Sequence, residues 1–205
     1  MVVVKYILTV VLAYLLGSFS MSIFLSRKIG GDVRTKGSKN AGATNMARVY
    51  GMGFGVLTLA GDMLKAGIAM WIGNLLLGDW GIFAGGIASL IGHCFPIFHS
   101  FKGGKGVSVG AALGLALDWR VFVTIILVFL IVALLSKKVS LGSICASVSI
   151  FIAALAFGMP LPKVLLAFFG MIIVVARHKE NIVRLIHGTE PDFRAGSMKK
   201  KDAEK

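Results

Sequence analysis

This sequence predicts an all-α fold, a polytopic membrane protein of about seven transmembrane helices. Three observations predict it. Hydrophobic residue types make up 57% of the 205 residues and charged types only 15%, with a mean hydropathy of +0.86. The apolar residues fall in runs near the length that crosses about 30 Å of hydrocarbon, which takes about 20 helical residues. The basic residues gather between alternate runs, as they do on the cytoplasmic side of a membrane protein. A disordered chain, a disulfide scaffold and a soluble cytosolic enzyme are excluded, because each needs more polar surface or more cysteine. A net charge of +13 would point to nucleic acid in a soluble protein. Here the cations flank apolar segments, so membrane orientation and anionic ligands come first and no nucleic-acid partner is expected. Cys94 and Cys145 lie within apolar runs and read as buried hydrophobes.

Val2–Phe24 is the first run. Arg27 and Lys28 follow it, whereas a cleaved leader carries its charge before the apolar stretch, so a retained helix is expected. Residues 26–50 are polar and basic and read as a loop. Gly53–Leu77 is the second span. It is interrupted by Asp62 and Lys65, whose i, i+3 spacing suits mutual pairing at a depth where a lone charge costs about 2.5–3.5 kcal/mol. Gly78–Trp80 reads as a turn and Gly81–Phe98 as the third span, with Pro96 fraying its end. Phe101–Gly106 is a glycine- and lysine-rich loop. Val107–Leu117 is apolar but only 11 residues long, too short for an unthinned bilayer. Val121–Leu135, Leu141–Gly158 and Leu161–Ala176 complete the spans, separated by the Asp118–Arg120 turn, by Lys137/Lys138 and by a Pro160/Pro162 turn.

Charge decides whether the short run counts. With the N-terminus outside, cytosolic segments hold 18 of the 22 lysines and arginines. These are Arg27, Lys28, Arg34, Lys36, Lys39, Arg48, Lys102, Lys105, Lys137, Lys138 and eight from Arg177 onward. Lys5, Arg120 and Lys163 fall outside, and Lys65 lies within a span. Dropping the short helix would put Lys137/Lys138 and the basic C-terminus on opposite sides, so seven crossings and a cytoplasmic C-terminus are expected. Trp80 and Trp119 then sit at the outer interface. One integral membrane domain covers residues 1–205, with 191–205 as a flexible basic tail.

That topology places three polar segments on the cytosolic face. Gly37–Arg48 is rich in small residues, hydroxyls and amides. It can wrap a ligand and offer backbone N–H groups to an anion, with Arg48 as a bidentate phosphate clamp. The same composition suits an ordinary solvated loop. In Gly92–Val107, Gly103, Gly104 and Gly106 bracket Lys105 just before a helix start. Bare amides, a positive helix end and an ammonium make an anion site there, while a flexible positive-inside turn accounts for Lys102 alone. A nucleotide P-loop is excluded, since it needs glycine where His99 stands and Ser or Thr where Gly106 stands. His93 by itself reads as a packed histidine near a helix end. In Arg177–Glu190, helical spacing puts His178, Asn181, Leu185 and Arg184 on one face, for a site or for an amphipathic interfacial helix. Ser140 and Ser143 either cap the sixth span or line the site.

Together these segments resemble the bacterial acyl-phosphate:glycerol-3-phosphate acyltransferase family. Phe-Lys-Gly-Gly-Lys-Gly-Val beside Gly-His-x-Phe-Pro, with Gly-Ala-Thr-Asn upstream, carries the resemblance. Lys39 departs from it, standing where the family pattern has glycine. The resemblance implies transfer of a fatty acyl group from acyl-phosphate to the 1-hydroxyl of sn-glycerol 3-phosphate. The products are lysophosphatidic acid and phosphate, and the step belongs to phospholipid synthesis at the bacterial cell membrane. It carries over Ser38, Arg48, Lys105, Ser143, His178 and Asn181 as catalytic positions. Asn40, Thr44, Asn45, His93, Lys102, Gly103, Gly104, Gly106 and Arg177 are expected to bind substrate around them. It also implies proton removal by the acyl-phosphate itself, with His178 orienting rather than acting as obligatory base. Expected partners are acyl-phosphate, sn-glycerol 3-phosphate, membrane lipids and an enzyme that makes acyl-phosphate. No metal or cofactor is expected.

The residues suit that chemistry on their own terms. Two phosphorylated substrates bring about four negative charges together, which Arg48, Lys102, Lys105, Arg177 and the Gly103/Gly104 amides can offset. The pair His187 and Asp192 has the spacing of a different acyltransferase motif, but Pro191 disfavours a continuous helix between them, and the match reads as accidental. A transporter of an anionic metabolite is the alternative, since basic residues and broken helices serve that role too. A lipid-sensing protein is a third class, but it leaves the three small-residue segments unexplained.

Overall fold

The computed structural model describes residues 1–193, and the part of the expected tail from 194 onward lies outside them. Ten α-helices and two short 3₁₀ turns make up the regular structure of the described residues, with no strand among them. α1 is Val2–Ser18, α2 Met21–Lys28, α3 Ala43–Tyr50, α4 Met52–Leu77 and α5 Asp79–Cys94. α6 is Val107–Leu117, α7 Trp119–Ser136, α8 Val139–Ala156, α9 Leu161–Arg177 and α10 Lys179–Ile186. Five segments are long and apolar enough to cross a bilayer: Val2–Lys28, Met52–Leu77, Asp79–His99, Trp119–Ser136 and Val139–Ala156. α9 with α10 forms a sixth, bent by 61° at its break. α6 has the predicted bounds and 11 residues, about 16 Å at 1.5 Å per residue.

Several elements differ from the sequence reading. The first run is broken. α1 ends at Ser18, and Ser20 caps α2 by accepting the Ile23 N–H. The expected loop 26–50 is partly helical. It holds the end of α2, a 3₁₀ turn at Val33–Thr35 and the two-turn α3. The turn before α5 shrinks to Gly78, whose φ of +60° needs no side chain in the way. Pro96 ends α5 at Cys94 and starts the second 3₁₀ turn, Ile97–His99.

Small residues set how closely the helices approach. α1 meets α5 where a Cβ on Gly17 would lie 2.3 Å from the Ser89 carbonyl oxygen. α4 meets α5 where a Cβ on Gly81 would lie 1.8 Å from the Gly73 carbonyl oxygen. Lipid tails supply no hydrophobic drive between helices, so such backbone contact is what gives the bundle its dispersion energy. α6 is walled in by this bundle. Val109, Ala112, Leu113 and Leu117 are buried with Leu90, Leu166 and Val174 in one core. Lys163 donates to the Leu117 carbonyl at 3.2 Å, which closes the C-terminal end of the short helix. α7 packs on α8 and leaves Leu130, Leu134 and Leu135 exposed, a surface that suits lipid.

Gly17→Ala should lower the melting temperature in detergent by the equivalent of about 1–3 kcal/mol, the usual effect of overpacking. Gly53→Ala is the control, because nothing lies within 4 Å of the added methyl. It should be neutral or raise stability by up to about 1 kcal/mol through helix propensity. Equal effects would refute the close-contact account.

Candidate active site

The first polar segment is built around one amide. Asn45 sits in the first turn of α3 and is buried. Its Oδ1 accepts the Ser38 N–H at 2.9 Å, and its Nδ2 donates to the carbonyls of Val33, Lys36 and Asn40 at 3.0, 3.0 and 3.1 Å. Both ends of the side chain are therefore occupied. The expectation that Asn45 binds substrate gives way to a structural role, since an amide with both ends bonded to its own loop has little left for a ligand. Gly37 and Lys39 both take positive φ in this loop, +59° and +57°. The lysine thus holds a conformation that glycine takes freely. Ser38 and Lys39 are exposed, while Asn40, Thr44 and Arg48 are half-buried.

The second segment folds back on the end of α5. Gly104 donates its N–H to the His93 carbonyl at 3.1 Å. Its amide is spent there, so it cannot hold phosphate as the sequence reading expected. Both glycines are needed for that approach. A Cβ on Gly103 would lie 2.1 Å from the His93 carbonyl oxygen, and one on Gly104 would lie 2.1 Å from His93 Nε2. Gly106 begins α6 with φ +87°, and no side chain caps that end. The first N–H groups of α6 thus sit bare beside Lys105. Lys102 is exposed at the outer edge of the loop.

The third segment turns at His178, between α9 and α10. His178 is buried, and its Nδ1 lies 2.8 Å from the Val174 carbonyl. A carbonyl only accepts, so Nδ1 carries the proton, and in the neutral ring Nε2 is a bare acceptor. Arg177 donates to the Gly104 carbonyl at 3.3 Å and stacks 4.9 Å over the Phe95 ring, leaving its Nε buried without a partner.

These pieces meet at one carboxylate. Lys105 Nζ donates to Asn181 Oδ1. Asn181 Nδ2 and Ser140 Oγ donate to Glu190 Oε1 at 2.7 and 2.6 Å, and Arg184 Nε donates to Oε2 at 2.7 Å. Burial pushes the Glu190 pKa up, but the bonds from Ser140, Asn181 and Arg184 outweigh it and hold the carboxyl below its ordinary value. Burial pulls the Lys105 ammonium below the usual lysine value. Arg184 and Arg177 add to that, and Glu180 and Glu190 oppose it. Arg48 is desolvated by burial and lies within electrostatic reach of Glu190 and Arg184. His178 lies within reach of Lys105, Glu190 and Arg177. Arg48, Lys105, Arg177 and Arg184 therefore share one neighbourhood with a single buried carboxylate.

Other expected residues stand slightly apart. Ser143 is buried, and its hydroxyl donates to the Val139 carbonyl of its own helix at 2.9 Å. Ser38 is tied through its backbone to Asn45 rather than to the cationic cluster. His93 faces Lys65 at 3.2 Å. His187 turns to the Val183 carbonyl and Asp192 to Lys138, so they form no pair with each other. Among the described residues no group of three His, Cys, Asp or Glu side chains is placed to hold a metal.

Residues 7–188 match the family described as glycerol-3-phosphate acyltransferase. The chain belongs to this family. A glycerol-3-phosphate acyltransferase of Rubrobacter xylanophilus is 40% identical over 188 residues, covering 91% of this chain and 94% of the relative. One from Aquifex aeolicus is 37% identical over 191 residues, covering 92% and 100%. Two crystal structures described as PlsY, an integral membrane glycerol 3-phosphate acyltransferase, share the fold. The glycerol 3-phosphate form matches at a TM-score of 0.88 and 37% identity, covering 92% of this chain and 96% of that one. The lysophosphatidic acid form matches at 0.87 and 35%, covering 94% and 97%. This member of the glycerol-3-phosphate acyltransferase family is accordingly an acyltransferase and a multi-pass membrane protein.

The sequence reading had Ser140 as capping or lining the site and Arg184 on the face of His178 and Asn181, but missed Glu190 as the acid that joins them. An acid at the end of a basic stretch was the available signal. Residues 190–193, which include the first three of the expected flexible tail, are held down. Lys138 Nζ donates to the Glu190 carbonyl and pairs with Asp192, and the Phe193 N–H donates to the Lys137 carbonyl at 3.1 Å.

Glu190→Ala should cost about 3 kcal/mol, the low end for breaking a buried charge pair because Arg184 is itself part-exposed. Limited proteolysis near residue 190 would register the released segment. The ordinary value of this carboxyl is 4.5 and the folded one is lower. Its stabilisation is therefore complete above that ordinary value and is lost as pH falls through the folded one. Unchanged proteolysis at neutral pH in the variant would refute the anchor.

Proposed function

We propose that this enzyme moves a fatty acyl group from acyl-phosphate to the 1-hydroxyl of sn-glycerol 3-phosphate, giving lysophosphatidic acid and inorganic phosphate. The observation that carries this reading is the gathering of Arg48, Lys105 and Arg184 around Glu190, with Arg177 within reach of Lys105, at the polar end of apolar helices. Four cations against Glu190 and the exposed Glu180 still leave a positive site suited to two phosphorylated substrates. An apolar groove of about 740 Å³ opens between α4, α5 and α6, lined by Met63, Leu64, Trp71, Ile82, Ala112 and Leu115. Ala112 stands about 7.5 Å along α6 from Val107 at 1.5 Å per residue. An acyl chain can thus lie in the groove with its phosphate among the cations.

In this reading Lys105 and the positive end of α6 hold the phosphate of acyl-phosphate. Arg48 and Arg177 take the phosphate of glycerol 3-phosphate. The bare Nε2 of His178 accepts a hydrogen bond from the 2-hydroxyl and so aligns the 1-hydroxyl, whose own proton stays free for the phosphate. Asn181 and Glu190 hold Lys105 in place, and Ser38, Asn40, Thr44 and Ser143 add polar groups around the substrates. The hydroxyl oxygen attacks the acyl carbonyl carbon, and the carbonyl's bond to the phosphate oxygen breaks. The hydroxyl proton passes to an oxygen of the departing phosphate, so no enzyme base is required. Phosphate is a good leaving group, so no strong general acid is needed either. The positive-inside asymmetry supports seven crossings with the N-terminus outside, in a bacterial cell membrane, and this site on the cytoplasmic face.

The test is purified protein with acyl-phosphate and labelled glycerol 3-phosphate, with acyl-CoA as the control donor. Product from acyl-phosphate alone supports the reading, and label uptake into vesicles without product would select a transporter instead. Lys105→Ala and Arg48→Ala should each lower kcat roughly 100- to 1,000-fold while the protein still folds in detergent. Near-wild-type rates in both would refute the assigned site.

Two pH experiments separate the roles. His178→Ala should leave a residual rate whose pH profile keeps the wild-type shape, whereas loss of a basic limb would make His178 the base. The Lys105 charge is needed, and burial lowers its pKa. The rate should therefore fall on the alkaline side below the ordinary lysine value of about 10.4. In Lys105→Arg the residual rate should lose that limb.

A further inference from the structure

The last span bends at the edge of the hydrocarbon. α9 has 17 residues, about 25 Å at 1.5 Å per residue against about 30 Å of hydrocarbon. It turns by 61° at His178 into α10. The eight residues of α10 rise about 12 Å along their own axis, and at that angle advance only about half as far in the direction of α9. α10 therefore runs obliquely along the edge that α9 has just reached. Lysines mark the same edge. Lys138, between α7 and α8, donates to the Glu190 carbonyl and pairs with Asp192 just beyond α10. Leu134 and Leu135, directly before those lysines, are 74% and 83% exposed, so lipid-facing surface reaches this level.

α10 has two faces. Asn181 and Arg184 turn to the site, where Asn181 accepts from Lys105 and donates to Glu190, and Arg184 donates to Glu190. Val183 and Ile186 turn away from it, at 54% and 77% exposure. With the exposed Lys179 they follow i, i+4, i+7 spacing, which makes one stripe. That stripe prolongs, without a break in spacing, the exposed stripe of α9 at Phe169, Ile172 and Ala176. Glu180 is exposed as well, so the outer side carries both signs of charge and apolar contact decides what it meets.

We propose that α10 is docked on the lipid leaflet and positions the site from there. Val183 and Ile186 rest in the boundary between acyl chains and headgroups, and Lys179 reaches out to the headgroup phosphates. This seating holds Asn181 and Arg184 against Lys105 and Glu190. Val183 and Ile186 touch no substrate and act only as positioning residues. The occupant is the lipid surface, because the stripe lies at the hydrocarbon edge and continues a helix face that already suits lipid. The positioning role rests on the function given to Lys105 above, whereas the docking does not.

The test uses the full-length protein in nanodiscs of phosphatidylcholine and phosphatidylglycerol. Trp71, Trp80 and Trp119 are replaced by Phe, and Val183→Trp reports on α10, with Ile186→Trp as the second reporter if the first does not fold. Its fluorescence should be quenched more by lipids brominated near the carbonyl end of the chains than near the methyl end, and little by iodide in water. Iodide quenching without bromolipid quenching would leave the stripe free for a soluble partner and overturn the proposal. Bromolipid quenching in a protein that forms no product from acyl-phosphate would uphold the docking and refute the acyl-transfer reading. In kinetics, Val183→Ser with Ile186→Ser should lower kcat roughly tenfold, the size expected from withdrawing two half-buried apolar side chains from the boundary. Proteolysis near residue 190 should rise in the same variant. Val183→Leu with Ile186→Leu should stay within about twofold of wild type. Melting temperatures should match wild type in both pairs, since exposed substitutions seldom move stability. Equal rates in the serine and leucine pairs, or a serine pair that melts early, would overturn the positioning role.

Discussion

Four cations held in one neighbourhood repel each other, and the carboxylate of Glu190 is what lets the unliganded protein keep them there. It accepts from Ser140, Asn181 and Arg184 and lies within electrostatic reach of Arg48, Lys105 and His178. It does not cancel the cluster. The residual positive charge suits an anionic ligand. The acid comes from far along the chain, and the contacts that anchor residues 190–193 are also what bring it to the site.

Close backbone approach is the second requirement, and glycine serves it in two places for one reason. Between α1, α4 and α5 it brings helices together where lipid offers no hydrophobic drive. At Gly103 and Gly104 it lets the loop lie against the His93 carbonyl, so that Lys105 is presented by a braced backbone rather than a loose turn. The cost is that the Gly104 amide is consumed by the brace. Positive charge at this loop therefore comes from Lys105, Arg177 and the start of α6, more than from a cradle of amides.

The broken first helix joins these two themes. Ending α1 at Ser18 frees carbonyls inside an apolar bundle, and Lys65 satisfies them. A lysine there needs a counter-ion, which Asp62 supplies. The same ammonium meets His93, and His93 meets the glycine loop. A defect in one helix is thus connected through three side chains to the segment that presents Lys105.

Much of this was legible in the residue order. Apolar runs with basic flanks specify membrane helices, and the bounds of α6 followed from hydropathy alone. The pairing of Asp62 with Lys65 followed from the cost of a lone charge in hydrocarbon. Arg48, Lys105, Arg177, His178 and Asn181 were readable because small residues, cations and amides cluster in three segments of one polarity. What the order could not reveal is direction. Asn45 looks like any loop amide until three carbonyls are seen to converge on it. Gly104 looks like a phosphate cradle until its N–H is traced to His93. Glu190 looks like the edge of a basic tail until α8, α9 and α10 bring Ser140, Asn181 and Arg184 around it. Local composition determines which segments enter the membrane, because transfer free energy sums residue by residue. Which donor meets which acceptor was decided only by tertiary packing, because hydrogen bonds depend on positions in space that distant parts of the chain set together.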